Sequence, residues 1–400
     1  MMTKPWPKLD YEEQIWDGGQ IASMGPAATR LSMRGAKYHT AVPSMIVDLV
    51  PEVDREVELL AREAELELAR FDTEVGLRLA AFGPILLRSE ATSSSQIENL
   101  TASARQIFTA ELGGRVARNA SEVAANTRAM LAALELSDEL SSESMREMHR
   151  VLMEGQDRHT PGDFRAQSVW IGSRAYSPIG ASYVAPAASR VPELMSDLAA
   201  FCERDDMPAL VHVAVAHAQF ETIHPFSDGN GRTGRALAQA MLRRSQVTRS
   251  VAVPVSAGLL TDVRGYHDAL TAYRDGDPSP IVEKFAAASL RAVPNGRQLM
   301  AELDQISQDW RELAAPRTGS AKERLLRFAL ERPVFTAEIA ARDLGIAPSN
   351  VYRYLQGLQE VGVLAFKAEY RGPAVWRAPA VLEAIDRFAE RAGKRGSEWR

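Results

Sequence analysis

Apolar positions recur at three- and four-residue steps along much of the chain. Val53, Val57, Leu60, Ala64 and Leu68 form one such stripe, opened by Pro51, Glu52 and Asp54, which suit a helix N-terminus. A second stripe runs through Val123, Met130, Leu131 and Leu134, with Ser121 placed to cap it. Val211 to Ile223 is apolar almost throughout, and helical spacing resumes at Ala236, Leu237, Ala240 and Met241. Strand-like sequence occurs in three places. One is Tyr38 to Ile46, broken by Pro43, and another lies near the C-terminus. The third is Ser168 to Val184, where VWIG and SYV flank a Gly/Ser/Pro-rich stretch and predict a hairpin or flap. The pattern predicts a mainly helical protein.

Length and charge divide this pattern. Four hundred residues suit two or three domains. The breaker-rich stretch Ala314 to Ser320 is the expected linker. From Arg317 onward the chain carries 15 Lys/Arg and 10 Asp/Glu, a net of +5, whereas the preceding 316 residues carry a net of −10. The overall net charge of −5 excludes nucleic-acid binding through the field of the whole chain. The single cysteine, Cys202, excludes a disulfide framework or a cysteine-based zinc site. The opening residues lack the basic-then-apolar order of a signal peptide, and no stretch is apolar enough to span a bilayer. A reduced, soluble, cytoplasmic protein without membrane partners is expected.

The chemistry concentrates in His224-Pro-Phe-Ser-Asp-Gly-Asn-Gly-Arg-Thr-Gly-Arg235, a loop between two helical patterns that runs into the second helix. Gly229, Asn230 and Gly231 permit positive φ and close backbone approach, and N–H groups at a helix N-terminus suit phosphate oxygens. Arg232 and Arg235 lie three apart and add two guanidinium forks on one side of the first turn. Asp228 is a hard oxygen ligand suited to Mg²⁺, and His224 can act as a base near neutral pH. Three rival readings carry less weight. Gly229-x-Gly231-x-x-Gly234 matches a dinucleotide fingerprint, but it follows a helix rather than a strand. His212 and His217 do not share a helix face, because five residues turn through about 140°, which argues against a zinc site with His224. A purely structural turn would not need so many uncommon residues within 12 positions.

The segment resembles the Fic motif, H-P-F-x-[DE]-G-N-G-R-x-x-R, at every fixed position. Pro161-Gly-Asp-Phe-Arg165 and Val169-Trp-Ile-Gly172 resemble the lead into the Fic flap. Tyr183-Val-Ala-Pro186 resembles its closing strand, with Ala185 where a second proline is more usual. The likeness covers roughly residues 40 to 290. It implies a protein adenylyltransferase that moves AMP from ATP to a Ser, Thr or Tyr hydroxyl of a target protein and releases pyrophosphate. It makes His224 the base and Asp228 the ligand of Mg²⁺ (or Mn²⁺). Gly229, Asn230 and Gly231 become the phosphate cradle, Arg232 and Arg235 the partners of the β- and γ-phosphates, and Thr233 and Gly234 the rest of the nucleotide-binding stretch. Tyr266, within Gly265-Tyr266-His267, falls where family members place an aromatic near adenine, and His217 is read as a satisfied core histidine. The flap at 168–184 would dock an extended target segment, or a segment of the protein itself in self-modification.

Upstream, Ser94, Glu98 and Asn99 fill the pattern [ST]-x-x-x-E-[GN] of the Fic inhibitory helix. Ser94 and Glu98 are four apart and are expected on one helix face. The resemblance has Glu98 compete with the γ-phosphate for Arg235. Some relatives use this glutamate to place water for removing AMP, so a de-AMPylating hydrolase stays open. Many members form dimers, and a homodimer is admitted here.

Beyond the linker, Glu323 to Glu331 reads as a helix and Thr336 to Leu344 as a second. A turn at Gly345-Ile346 leads to a third helix opened by Pro348, and Val363 to Phe366 and Ala374 to Arg377 read as a two-stranded wing. This resembles a winged helix-turn-helix, with Ser349 to Glu360 as recognition helix, Ser349, Asn350, Tyr352 and Arg353 facing a groove, and Arg371 at the wing tip. DNA is then a partner to test. The alternative function is a DNA-binding regulator whose Fic domain senses nucleotide; the presence of both His224 and Asp228 favours the enzyme.

The expected architecture is mainly α, a Fic-type helical bundle with a short β-hairpin flap and a C-terminal winged-helix domain. Residues 1–113 are expected as an N-terminal helical region holding the inhibitory helix at about 84–100. Residues 114–295 form the catalytic core, 296–320 a helix and linker, and 321–400 the winged helix.

Overall fold

The computed structural model describes residues 5–16, 33–76, 79–156, 159–172, 177–367 and 374–393. The chain divides into two compact units, each assembled from three separate stretches. One takes Met1–Glu65, Ala129–Gln246 and Arg264–Ala286; the other takes Leu66–Arg128, Val247–Val263 and Ala287–Arg400.

Helices divided between the units by sequence are α1 (Arg55–Gly76), α4 (Arg118–Glu135) and α11 (Ser279–Ala314). The first unit also contains β1 (Asp10–Ile15), β2 (Lys37–Val42), α5 (Ser142–Leu152), β3 (Trp170–Ile171), β4 (Tyr183–Val184) and α6 (Val191–Cys202). It continues with α7 (Ala209–Ile223), α8 (Asn230–Arg244) and most of α10 (Val263–Arg274). Its centre is α7, in which every residue from Leu210 to Ile223 is buried. A helix apolar all round must be enclosed all round, and α6 and α8 both pack on it. The His212 and Gln219 side chains of α7 find partners in the interior. His212 Nε2 lies 2.8 Å from the Phe201 carbonyl, and the Gln219 side chain donates to Ser44 O at 3.0 Å and accepts from the Tyr273 hydroxyl at 2.9 Å.

The N-terminal region expected as helical includes a hairpin. β1 and β2 pair antiparallel from Asp10↔Val42 to Ile15↔Lys37. The expected strand at Tyr38 to Ile46 ends at Val42, one residue before Pro43, which has no N–H to continue a ladder. Its partner β1 carries no alternating apolar pattern, because its sequence, DYEEQI, is mostly polar, as an edge strand tolerates. β3 and β4 form the flap hairpin in the register Trp170↔Val184 and Ile171↔Tyr183. The flap positions 173–176 lie outside the described residues.

The second unit holds α2 (Leu79–Ile97), α3 (Ala104–Glu111), α9 (Val255–Leu260), α12 (Ala321–Glu331), β5 (Val334–Phe335) and α13 (Ala337–Leu344). It closes with α14 (Pro348–Glu360), β6 (Ala365–Lys367), β7 (Val375–Arg377) and α15 (Pro379–Gly393). Thr336 caps α13 by accepting from Ile339 N, and Gly345 ends it in the left-handed conformation. The expected two-stranded wing is a three-stranded antiparallel sheet in the order β5-β7-β6. β5, only two residues long, leaves too short a pattern to be read. Arg371 and the rest of 370–373 lie outside the described residues. The boundary expected at residue 295 falls inside α11, which continues as one helix to Ala314. The residues after 321 do not stand apart either: α12 and α15 both pack on α2, and α15 also packs on α3 and α9.

Candidate active site

The loop 224–229 joins the central helix α7 to α8, and its shape follows from a few residues. His224 caps α7 with φ 50° and ψ 61°, while its N–H still donates to Phe220 O at 2.8 Å. A left-handed non-glycine residue costs roughly 1–2 kcal/mol, so something must hold it. Arg165 does so: its Nε donates to the His224 carbonyl at 2.8 Å and its Nη2 to Pro186 O at 2.6 Å and Ile223 O at 3.3 Å. Its own backbone N–H donates to Pro225 O at 3.0 Å. Arg165 is 4% exposed, and burial pushes its guanidinium down to about 10. The His224 side chain remains 27% accessible, with Nδ1 3.9 Å from Glu221 Oε2.

The far half of the loop is fixed by His149 of α5. Gly162 N–H donates to His149 Nδ1 at 3.0 Å, so the ring proton sits on Nε2, which donates to the Asp228 carbonyl 3.1 Å away. The ring stacks on Phe226 with centroids 3.7 Å apart and planes 4° apart. Burial holds this imidazole down at about 4, so it is neutral near pH 7. Asn230 closes the loop from inside. Its Oδ1 accepts from Phe226 N and its Nδ2 donates to Phe226 O, both at 2.9 Å.

These contacts leave the Asp228 carboxylate 47% accessible at the head of α8. Its Oδ1 accepts from Gly229 N at 2.7 Å and its Oδ2 lies 3.5 Å from His159 Nε2. Gly229 takes φ 76° as the N-cap of α8, and a Cβ there would meet Leu152 Cδ2 and Met153 Sδ at 3.1 Å. Only glycine fits both demands. Asn230 and Gly231 then present first-turn N–H groups, which have no intrahelical acceptor. Thr233 is fully buried and its hydroxyl donates back to Gly229 O at 2.9 Å. Gly234 lies against Phe220 and Glu221 of α7, and Arg232 and Arg235 are 3% and 2% exposed.

The flap is anchored to the same helix end. The Tyr183 hydroxyl donates to Thr222 O, and the Arg274 guanidinium lies 3.8 Å above the Tyr183 ring. Burial pushes the Tyr183 phenol up to about 12, so it stays a donor. Tyr266 is 2% exposed on α10, with its hydroxyl 2.7 Å from His217 Nε2, so its ring sits among interior groups.

Ser94, Glu98 and Asn99 belong to the second unit. Ser94 is buried within α2, while Glu98 and Asn99 follow the helix end at Ile97 and are exposed. Glu98 is thus a cap residue and not a residue of the helix body. Leu100 N donates to Ser95 O and Asn99 N to Gln96 O, both at 3.0 Å, with Asn99 at φ 61°. This is a Schellman cap, and it explains why glycine or asparagine must follow the glutamate.

Two of these positions carry little signal in the sequence. His149 falls on the buried stripe Met145, Met148, Leu152 of α5, and a histidine on an apolar stripe was the available signal. Arg165 stands out in the sequence only as part of the flap lead; its partners are backbone carbonyls up to 59 residues away, which no local pattern encodes. Among the described residues no group of three or more His, Cys, Asp or Glu could hold a metal, which leaves Asp228 as a single hard donor beside the helix N-terminus.

The family model described as "Fic/DOC family" matches residues 139–242, the stretch from the start of α5 through most of α8, and "Fic/DOC family N-terminal" matches 59–135. Protein adenylyltransferase fic-1 of Caenorhabditis briggsae is 30% identical over 107 residues, 27% of this chain and 20% of that protein. Protein adenylyltransferase Fic of Culex quinquefasciatus is 27% identical over 159 residues, 39% of this chain and 29% of that one. The matched stretch spans only a fifth to under a third of these relatives' length. A crystal structure of a Fic family protein from Desulfovibrio desulfuricans G20 aligns over 82% of this chain and 98% of its own, at 25% identity and a TM-score of 0.52. The loop that Arg165, His149 and Asn230 hold in place lies within the Fic/DOC match at 139–242, and the chain is a Fic domain protein.

Proposed function

We propose that the chain transfers AMP from ATP to a hydroxyl of a protein and releases pyrophosphate. The observation that carries this reading is the rigid placement of His224 immediately before the N-terminus of α8, with the Asp228 carboxylate exposed between them. The names of the adenylyltransferase relatives support the same activity.

In this reading the triphosphate lies along the head of α8, where the Asn230 and Gly231 N–H groups and the helix dipole favour its charge. Arg232 and Arg235 neutralise the β- and γ-phosphates. The target hydroxyl gives its proton to the His224 imidazole as its oxygen forms a bond to the α-phosphorus. The bond from that phosphorus to the bridging oxygen breaks, and pyrophosphate leaves with the electron pair. Most of the acceleration then comes from positioning and charge complementarity. Mg²⁺ fits the site, because Asp228 offers the one exposed carboxylate that this ion commonly takes beside phosphate oxygens; when bound it would neutralise phosphate charge. An extended segment of the target pairs with the flap hairpin of β3 and β4, whose Ile171 is 49% exposed. Glu98 acts as a brake by competing for Arg235, and a charge-assisted contact of this kind is worth about 10- to 150-fold.

The test is incubation of the full chain with α-labelled ATP and Mg²⁺. Weak labelling of protein is expected for wild type, stronger labelling for Glu98→Gly, and a loss of about 10²–10⁴-fold for His224→Ala in the Glu98→Gly background. Equal labelling in all of them would overturn the mechanism.

A further inference from the structure

We propose that Asp386, on the C-terminal helix α15, is a positioning residue for the loop that carries Glu98. The C-terminal module thereby sets how firmly that loop is held. The inference rests on the reading of Glu98 as a brake, and its argument comes from the second unit alone.

The loop 98–103 has two ends. Its first is fixed locally by the Schellman cap around Asn99. Its second is the N-terminus of α3, a helix of eight residues whose own capping is weak: Ser103 N and Oγ each lie 3.4 Å from Gln106 Oε1. The strong contact there comes from far along the chain. Asp386 Oδ1 accepts the Ala104 N–H at 2.7 Å, across 282 positions. A carboxylate on a first-turn N–H also meets the positive end of the helix. Between the two ends, Leu100 and Ala102 pack on the buried cluster of Ile107, Val123 and Ala124, so movement of α3 moves the loop.

Asp386 is in turn fixed by the C-terminal sheet. Only Ala378 separates β7 from α15, and its N–H donates to Pro333 O at 2.8 Å beside β5. The other end of α15 is tied to α11, where Arg391 and Arg387 both reach Glu302, at 2.8 and 2.9 Å. A shift of the sheet is therefore delivered to the Ala104 N–H rather than absorbed in a linker.

The experiment uses the full chain as wild type, Asp386→Ala, Asp386→Asn, Glu98→Gly and the Asp386→Ala/Glu98→Gly pair. Labelling with α-labelled ATP and amide hydrogen exchange are both read. Asp386→Ala is expected to raise labelling about three- to tenfold, as loss of one charge-assisted hydrogen bond allows, and to speed exchange at 98–104. Asp386→Asn keeps an acceptor oxygen without the charge and should fall between. The double variant should label within about twofold of Glu98→Gly, since the two changes act on one loop. Wild-type labelling and exchange in Asp386→Ala would overturn the proposal, and so would an equal multiplication of labelling in the Glu98→Gly background. If Glu98→Gly itself gains nothing, the brake has failed and exchange at 98–104 alone decides the positioning role. If Asp386→Ala loosens the whole unit, Asp386→Asn decides, and wild-type behaviour in both readouts would again overturn it.

Discussion

His149 does its work as a neutral ring. Its folded-state value near 4 lies below the ordinary 6.5 because burial penalises the imidazolium, and both nitrogens are committed, one as acceptor and one as donor. A depressed folded value gives stability that is full above about pH 6.5 and is lost as pH falls toward 4, on the order of 3 kcal/mol in all. Urea unfolding between pH 7 and pH 4 should show this loss in wild type and lack it in His149→Phe. That variant keeps the stack on Phe226 but strands the Gly162 N–H and the Asp228 carbonyl, so it should be about 2 kcal/mol less stable at pH 7. Asn99 makes the matching case in the second unit: Asn99→Gly should unfold within a few tenths of a kcal/mol of wild type, and Asn99→Val should lose about 1 kcal/mol or more. Asn230, expected for its backbone freedom, instead acts through a side-chain amide that pairs with Phe226 N and O, whereas Gly229, with its strict backbone demand, was legible in the sequence. His149 and Arg165 were not, since their partners are main-chain groups of loops brought near only by folding.

Among elements, legibility followed the length and regularity of the pattern. α13 and α14 carry their own start and stop signals in Thr336, Gly345 and Pro348, and their boundaries follow those residues. β1 and β5 lacked such signals, being polar in one case and two residues long in the other. α15 has a strongly sided pattern, with Val381, Leu382, Ile385 and Phe388 buried, but the fold class read from the sequence gave it no partner to face. Helix contact also sets hard limits that sequence does not announce. A Cβ at Gly258 of α9 would lie 2.1 Å from the Ala288 carbonyl oxygen of α11, a main-chain atom that cannot rotate away. Gly258→Ala should therefore destabilise the second unit by several kcal/mol, on the order of 3 or more, despite alanine's better helix propensity. A thermal melt of the variant would show it, and a melting temperature equal to wild type would contradict this packing.

At the scale of the molecule, the sequence suggested consecutive domains, whereas the units interleave. Charge asymmetry and a breaker-rich linker were real features, but neither reports which faces are covered. Deleting residues 321–400 should thus act as removal of part of a core, because α12 and α15 cover α2 and α3. The truncated chain is expected to melt roughly 10 °C or more below the intact protein; an unchanged melt would mean that the module is separable after all.

The contact from Asp386 to Ala104 also imposes an order of events on the ribosome. Its two partners are made 282 residues apart, roughly 15 to 55 s at ordinary rates of elongation. The first unit's last stretch ends at Ala286, well before Asp386 is polymerised. A nascent chain can therefore complete the loop 224–229 while the contact from Asp386 is still untranslated, and each molecule passes once through an interval in which the loop 98–103 is held at one end only.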